Sequence, residues 1–397
     1  MIKKLSRRLL NYFRPKFIEN LVGRQDEYPF RALLYFKTGW FLKKKNNLEY
    51  RHTNEWEIIE IVRILNTLGF VVDVIDRGAL NFKPDDKYDL FIGIAAGDSG
   101  RYYKKYAELL PSAIKVALCA GPEPKLSAQL VREQYARFNL RYKSNLPTMR
   151  EPTIDFDSFA KSSDALLVIG EKGQFCYESY QRHNMPVYNY LPGCSSEIRF
   201  LHHWIEMRDR TKFICFSGDG FICKGVDLVV EAFNRHPELS VHICGPDSEQ
   251  GFFEYLGDTI KESSNIHYEG FVEVGSKKFE DLAKSCSFSI FNTAAEGVAT
   301  SVTSVMIAGL VPIVNYESGI NVDHVKLGIK DNKDRVKSTE DAIIKASTLS
   351  EDDYKDAVMK TILESEKYTQ QSFSTSFKSS VSKIMQDFFI TNKNETI

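Results

Sequence analysis

From residue 31 the chain alternates short apolar runs with longer stretches in which apolar residues return at helical spacing. "RALLYF" has the character of a strand. "HTNEWEIIEIVRILNTLGF" has a helical period, with Thr53 or Asn54 placed as N-cap and Gly69 as its stop. "VVDVID", "YDLFIGI", "IKVALCA" and "ALLVIG" are further strands, separated by helical segments such as "YYKKYAELL" and "SAQLVREQYARF". Continuous apolar strands alternating with helices predict a parallel sheet covered on both faces, with ligands at the carboxyl ends of its strands.

The rhythm is interrupted near "MPVYNYLPGCSSEI", where Pro186, Pro192 and Gly193 fall, and a second series starts at "KFICFSG". It runs through "GVDLVVEAFNRH", "LSVHICG", "FFEYLGDTIKES", "NIHYEGF", "KKFEDLAKSC", "FSIFNT", "ATSVTSVMIAG" and "LVPIV", helix and strand in turn. A chain of 397 residues exceeds the usual size of one core. The expected architecture is therefore α/β, with two doubly wound Rossmann-like domains joined near residue 195 and an active site in the cleft between them. After about residue 335 the pattern is helical and polar, ending in the amphipathic "FSTSFKSSVSKIMQDFF" and a tail "ITNKNETI" expected to be loose.

Charge adds one exclusion and one expectation. A net charge of −1 offers no broad positive field to hold a phosphate backbone, so nucleic acid is not an expected partner. The first 50 residues nevertheless hold twelve Lys/Arg against four Asp/Glu. In "MIKKLSRRLLNYFRPKFI" Ile2, Leu5, Leu9, Leu10, Phe13 and Phe17 recur at helical spacing among basic residues. Such a segment suits an anionic membrane surface, and equally a terminal helix packed on its own domain with a solvated basic face. The seven cysteines show no CxxC pair, which reads as reduced buried thiols and not as a disulfide framework or zinc site. No apolar run approaches a membrane span and no secretory leader is evident. The expected location is cytoplasmic, peripheral on the inner face of the membrane if the basic segment docks there.

Two stretches carry candidate chemistry. In "FSGDGFICKGVDLVVEAF", Gly218 and Gly220 follow a strand while Lys224 and Gly225 open a helix, so backbone N–H groups and an ammonium could converge on a phosphate. It is neither a P-loop nor a GxGxxG turn, and an ordinary strand-to-helix turn accounts for it equally well. In "FNTAAEGVATSVTSVMIAGLVPIV" a strand delivers Glu296 and Gly297 to a loop, and Thr300 or Ser301 is placed to cap the helix that follows. The first-turn N–H groups and those hydroxyls could hold a diphosphate, leaving Glu296 for sugar hydroxyls; the plain alternative is a surface acid before a capped helix.

Taken together and in order, "KGVDLVVEAF", "LSVHICG", "NIHYEGFV", "LAKSCSFSIFNTAAEG" and "SVTSVMIAGLVPIV" resemble the donor-binding domain of GT-B glycosyltransferases, most closely the retaining family 4. The similarity covers roughly residues 211 to 335. It implies a GT-B fold: a basic segment over 1–30, an acceptor-binding domain over 31–195, a nucleotide-sugar-binding domain over 196–370, and a C-terminal helix and tail over 371–397 that returns to the first domain. It further implies that Lys224 contacts the donor diphosphate and Glu296 the transferred sugar, with Gly218 and Asp219 in the phosphate loop. Gly297, Val298, Ala299, Thr300 and Ser301 would cradle phosphate, Gly270, Phe271 and Val272 would lie against the base, and Glu317 would face the donor sugar. Two positions depart from the pattern: Asp219 stands where the family has Arg, and Ser304 where it has a second Glu for the ribose. Ser304 could still hydrogen-bond a ribose as a neutral group.

On the acceptor side, His52 before a helix and Glu123 in "CAGPEPKL" are candidates, with a cap-region histidine and a loop acid as their plain alternatives. Asp155 and Asp157 form a DxD match that belongs to a different glycosyltransferase fold. No metal and no cofactor are expected. The resemblance thus points to transfer of a sugar from a nucleotide-sugar donor to a glycan or lipid-linked acceptor, in bacterial surface-polysaccharide assembly. A GT-B nucleotide-sugar epimerase and a non-catalytic GT-B binding module remain as alternatives.

Overall fold

The computed structural model describes residues 17–22, 28–41, 53–79, 82–85, 87–95, 100–194, 198, 200–330 and 333–394. The first sheet is built from β1 (Phe17–Val22), β2 (Phe30–Phe36), β3 (Phe70–Asp76), β4 (Leu90–Ile94), β5 (Ile114–Cys119), β6 (Ala165–Ile169) and β7 (Val187–Tyr190). Their order is β1-β3-β2-β4-β5-β6-β7, and all neighbours are parallel except β1 against β3. Helices α1 (Thr53–Thr67), α2 (Gly100–Glu108), α3 (Pro124–Tyr142), α4 (Phe156–Lys161) and α5 (Phe175–Ser179) connect them.

The second sheet holds β8 (Asp209–Phe216), β9 (Ser240–Cys244), β10 (Ile266–Gly270), β11 (Cys286–Phe291) and β12 (Val311–Val314), all parallel in the order β10-β9-β8-β11-β12. Its helices are α6 (Trp204–Met207), α7 (Val226–Asn234), α8 (Gln250–Glu262), α9 (Lys277–Ser285) and α10 (Thr300–Ile307). Then follow α11 (Arg335–Ser347), α12 (Glu351–Ser365) and α13 (Gln370–Asn394). Every residue of β3, β6, β11 and β12 is buried, which is why apolar residues fall on both faces of these strands; β6 and β12 are wholly apolar, while β3 buries Asp73 and Asp76 and β11 buries Ser287 and Ser289. The expected pair of doubly wound sheets is present.

α13 returns to the first sheet, as expected for a GT-B fold, and lies on β7 and α1. Phe373, Phe377, Val381 and Ile384 are buried there, Phe373 lying 5.4 Å from the Trp56 ring. Tyr188 donates to Asp387 at 2.7 Å and the Leu191 N–H donates to Ser376 at 3.0 Å. The tail differs from expectation, because α13 carries on through Ile390 to Asn394.

Residues 1–16 of the basic segment lie outside the described residues. Phe17, counted on the apolar face of the terminal helix, instead opens β1, where it pairs with Ile75 and stacks on Phe82 at 4.2 Å.

α3 belongs by chain order to the first series, yet its apolar side enters the core of the second. Val131, Tyr135 and Phe138 are buried in one cluster with Phe221, Val230, Phe252 and Leu256. Polar contacts follow the same line: Arg141 meets Asp227 at 3.1 Å, Tyr142 donates to Glu231 at 2.5 Å, and Arg335 donates to Gln134 at 2.7 Å. Asp227 is fully buried; burial pushes its pKa up to about 6, opposed by Arg141 and Arg335. Three large side chains at roughly 2 kcal/mol each make this one helix a substantial tie between the halves.

Candidate active site

In the second sheet the chain runs outward from β8 to β9 on one side and from β11 to β12 on the other, so β8 and β11 are neighbours at a topological switch point. A crevice opens between the carboxyl ends of such strands, because the following loops diverge. The loops that diverge here are Ser217–Gly225 and Asn292–Ala299, the two stretches singled out in the sequence. Backbone contact binds them: the Ala294 N–H donates to Cys223 O at 2.8 Å and Thr293 Oγ1 donates to the same oxygen at 3.3 Å. Gly225 has φ +70°, and a Cβ there would collide with the Asn292 carbonyl, so this approach requires glycine.

Lys224 and Glu296 meet across the crevice as an ion pair, with Lys224 Nζ also 5.5 Å from the Phe291 ring. Lys224 is buried and Glu296 half-buried, so the charges are largely shielded from water. Glu296 is held by its own backbone, whose N–H donates to Glu317 O at 2.8 Å, while the Ala299 N–H donates to Ser318 O at 3.0 Å. The N–H groups of Gly297, Val298, Thr300 and Ser301 find no acceptor among the described residues. They stand at the start of α10, where the helix dipole favours negative charge. The cap differs from expectation: Ala299 is the N-cap and makes no side-chain cap bond, while Thr300 is already helical.

Other site residues take varied positions. Gly218 adjoins Lys224, a Cβ there meeting its Cε at 3.9 Å. Asp219 is exposed, accepts from Ser248 and lies 3.9 Å from Arg150. Gly270 ends β10 with φ +71°; Phe271 after it is 71% exposed and Val272 is buried. Ser304 is buried and its hydroxyl donates to Thr300 O at 2.7 Å within the helix. Glu317 accepts from Asn315 Nδ2 at 2.6 Å.

The first sheet closes over this site with the carboxyl ends of its own strands. A Cβ on Gly297 would stand 2.9 Å from Ala120 O and 2.9 Å from Ile169 Cγ2, at the ends of β5 and β6. Phe175 lies 5.6 Å from the Tyr316 ring, and Cys194 is 2.8 Å from Thr303 Oγ1.

His52 lies outside the described residues. Glu123 is fully buried as the N-cap of α3, accepting from Leu126 N at 2.8 Å and pairing with Arg182. Its second oxygen, Asp157 and His183 come within 4.8 Å of one another, a donor set of the kind cations use, but Arg182 and Lys125 already engage both carboxylates. Asp155 caps α4 through Ser158.

Sequence reasoning missed Asn315, whose amide bridges Thr293 and Glu317, and Glu249, which accepts from the Ile222 N–H at 3.1 Å and from Tyr135 at 2.5 Å. It also missed Arg335, which donates to the carbonyls of Asn292 and Thr293. Asn315 directly follows the apolar run "LVPIV", a weak signal, whereas Glu249 in "PDSEQG" and Arg335 in "NKDRVKS" stand among polar residues and offer none.

Residues 200–372 match the family model described as Glycosyl transferases group 1. Over that segment the chain is similar to group 1 glycosyltransferases. Among solved structures, WaaG, a glycosyltransferase involved in lipopolysaccharide biosynthesis, is similar with a TM-score of 0.52 at 13% identity, over 88% of this chain and 98% of its own. HepE from Anabaena, solved with UDP and glucose, gives 0.58 at 11% over 90% and 100%. Sucrose-phosphate synthase from Thermosynechococcus elongatus gives 0.60 at 10% over 91% and 99%. At such identities the likeness is one of fold, the GT-B arrangement. No curated protein sequence matches the chain. Lys224, Glu296 and the N–H groups before α10 all lie inside the family-matched segment. No helix among the described residues is long and apolar enough to cross a membrane.

Proposed function

We propose that this glycosyltransferase moves a sugar from a nucleoside-diphosphate sugar to a glycan or lipid-linked acceptor, with retention of anomeric configuration, in assembly of a bacterial surface polysaccharide. The observation that carries the donor assignment is the convergence of Lys224, Glu296 and the N–H groups of Gly297, Val298, Thr300 and Ser301 on one crevice. The diphosphate takes the N–H groups and Lys224, and the sugar hydroxyls take Glu296. Gly270 to Val272 lies toward the base and Glu317 toward the sugar. Residues 196–370 act as the donor unit and residues 31–195 as the acceptor unit, with residues 1–30 touching an anionic membrane.

In the transfer step the bond from the anomeric carbon to the phosphate oxygen breaks and a bond to the acceptor oxygen forms on the same face. The acceptor proton passes to the departing phosphate. Negative charge grows on that phosphate as the bond breaks, so Lys224 and the N–H groups stabilise the transition state more than the bound donor. The test is a thermal-shift panel of nucleotide sugars on the wild type, Lys224→Ala and Glu296→Ala. A stabilising shift for at least one nucleotide sugar, reduced in both variants, is expected. A flat wild-type panel would refute the reading, and an inverted linkage in the product by NMR would refute retention. Liposome flotation of the full chain against one starting at residue 20 tests the membrane contact, equal flotation removing it.

A further inference from the structure

The Gly218–Asp219–Gly220 turn is flanked by two cations, one of which comes from the other half of the chain. Lys224 lies along Gly218, and the stem of Arg150 lies along Gly220, where a Cβ would collide with Arg150 Cδ and stand 3.3 Å from its Nε. Arg150 is fixed from behind. Glu151 pairs with Arg132 on α3, and the neighbouring Tyr135 is anchored to Glu249, which also accepts from the Ile222 N–H of the same loop. Arg150 itself has φ +60°, a conformation that non-glycine residues adopt at a cost.

Charge decides what the guanidinium is for. Lys224 is already paired with Glu296, and Asp219 and Glu249 add further negative charge around the loop. Without Arg150 these four groups sum to a negative site, unsuited to a diphosphate. The contact between Arg150 and Asp219 does not explain the arrangement. At 3.9 Å, with side chains 44% and 59% exposed, it contributes little to folding. A half-exposed guanidinium with one distant partner keeps most of its donors available, and its planar fork suits phosphate.

We propose that Arg150 binds the donor diphosphate at this turn, supplying from the segment after α3 the guanidinium that position 219 lacks, with Asp219 holding it in place before the donor arrives. This rests on the donor-site reading above and names a residue in that site from outside the family-matched segment. Donor binding is then completed only when the first half of the chain is docked on the second.

The test is calorimetric titration of UDP, with GDP and ADP in parallel, into the full-length wild type, Arg150→Gln, Lys224→Ala, Asp219→Arg and the Arg150→Gln/Asp219→Arg double variant. Gln keeps most of the stem, and melting temperatures verify folding. The expected result is a roughly tenfold to hundredfold loss of nucleoside-diphosphate affinity in Arg150→Gln, the scale of a lost charged hydrogen bond. Recovery of most of that loss is expected in the double variant, which restores an arginine to the same turn. Wild-type affinity in Arg150→Gln, with a loss in Lys224→Ala, overturns the role of Arg150 and leaves the donor site standing. Loss without recovery in the double variant also overturns it, because the effect is then not one of charge at this turn. Absence of binding by the wild type to all three nucleotides overturns both readings.

Discussion

Glu57, in the second turn of α1, is the group through which pH should act on stability. Its Oε1 accepts the Gly193 N–H at 3.1 Å, and no salt bridge to it occurs among the described residues. Burial raises its pKa from 4.5 to about 7, opposed only by that N–H. The folded carboxyl therefore keeps its proton where the unfolded chain has released it. Stability from the neutral acid is fully present below about pH 4.5 and is lost as pH rises through about 7. At roughly 1.36 kcal/mol per pH unit this window is worth about 3 kcal/mol, and the side chain's partial contact with solvent reduces it to about 2 kcal/mol by pH 8. Glu57→Gln keeps an acceptor for Gly193 and cannot ionise. In urea unfolding followed by tryptophan fluorescence at pH 4, 5, 6, 7 and 8, the variant should match the wild type at pH 4 and exceed it by about 2 kcal/mol at pH 8. Parallel curves across that range would refute the argument.

Three further outcomes follow from the packing and the site. Lys224→Ala should lower kcat/KM for transfer by roughly a hundredfold or more, because the charge it supplies is needed as the leaving phosphate forms, and should lower the melting temperature as well, because Glu296 is left unpaired in a largely shielded site; steady-state kinetics well below the variant's melting point separate the two. Gly225→Ala should cost roughly 2 to 4 kcal/mol, as a Cβ meets the Asn292 carbonyl in a left-handed backbone, and a lowered urea midpoint would register it. Phe138→Ala should cost about 3 to 4 kcal/mol, and hydrogen exchange should show the lost protection in α7 and α8 as well as in α3, since its side chain lies in their core.

The doubly wound strands and helices were legible because burial on both faces leaves short, predominantly apolar runs without strict alternation, as in β6 and β12. β7 was hidden for the converse reason: it is an edge strand with only Tyr190 buried, set between Pro186 and Pro192. β1 was obscured because Phe17 also continued a helical spacing of apolar residues. Lys224 and Glu296 could be paired from the sequence because both follow strands that the fold makes neighbours. Arg150 could not, since "TMREPT" has no period and its neighbour Gly220 lies seventy residues on, a proximity only tertiary structure creates. The face of α3 was readable as buried, but a pattern of Val131, Tyr135 and Phe138 does not say which core receives it.

The placement of α3 limits how such enzymes can be recombined. The two sheets with their helices look like exchangeable modules, and the break in the sequence pattern falls near residue 195. A chimera cut there would pair α3 with a foreign surface, exposing Val131 and Phe138 on one fragment and Phe221 and Phe252 on the other. Successful grafting would have to carry residues 124–151 with the second half, or redesign both faces at once.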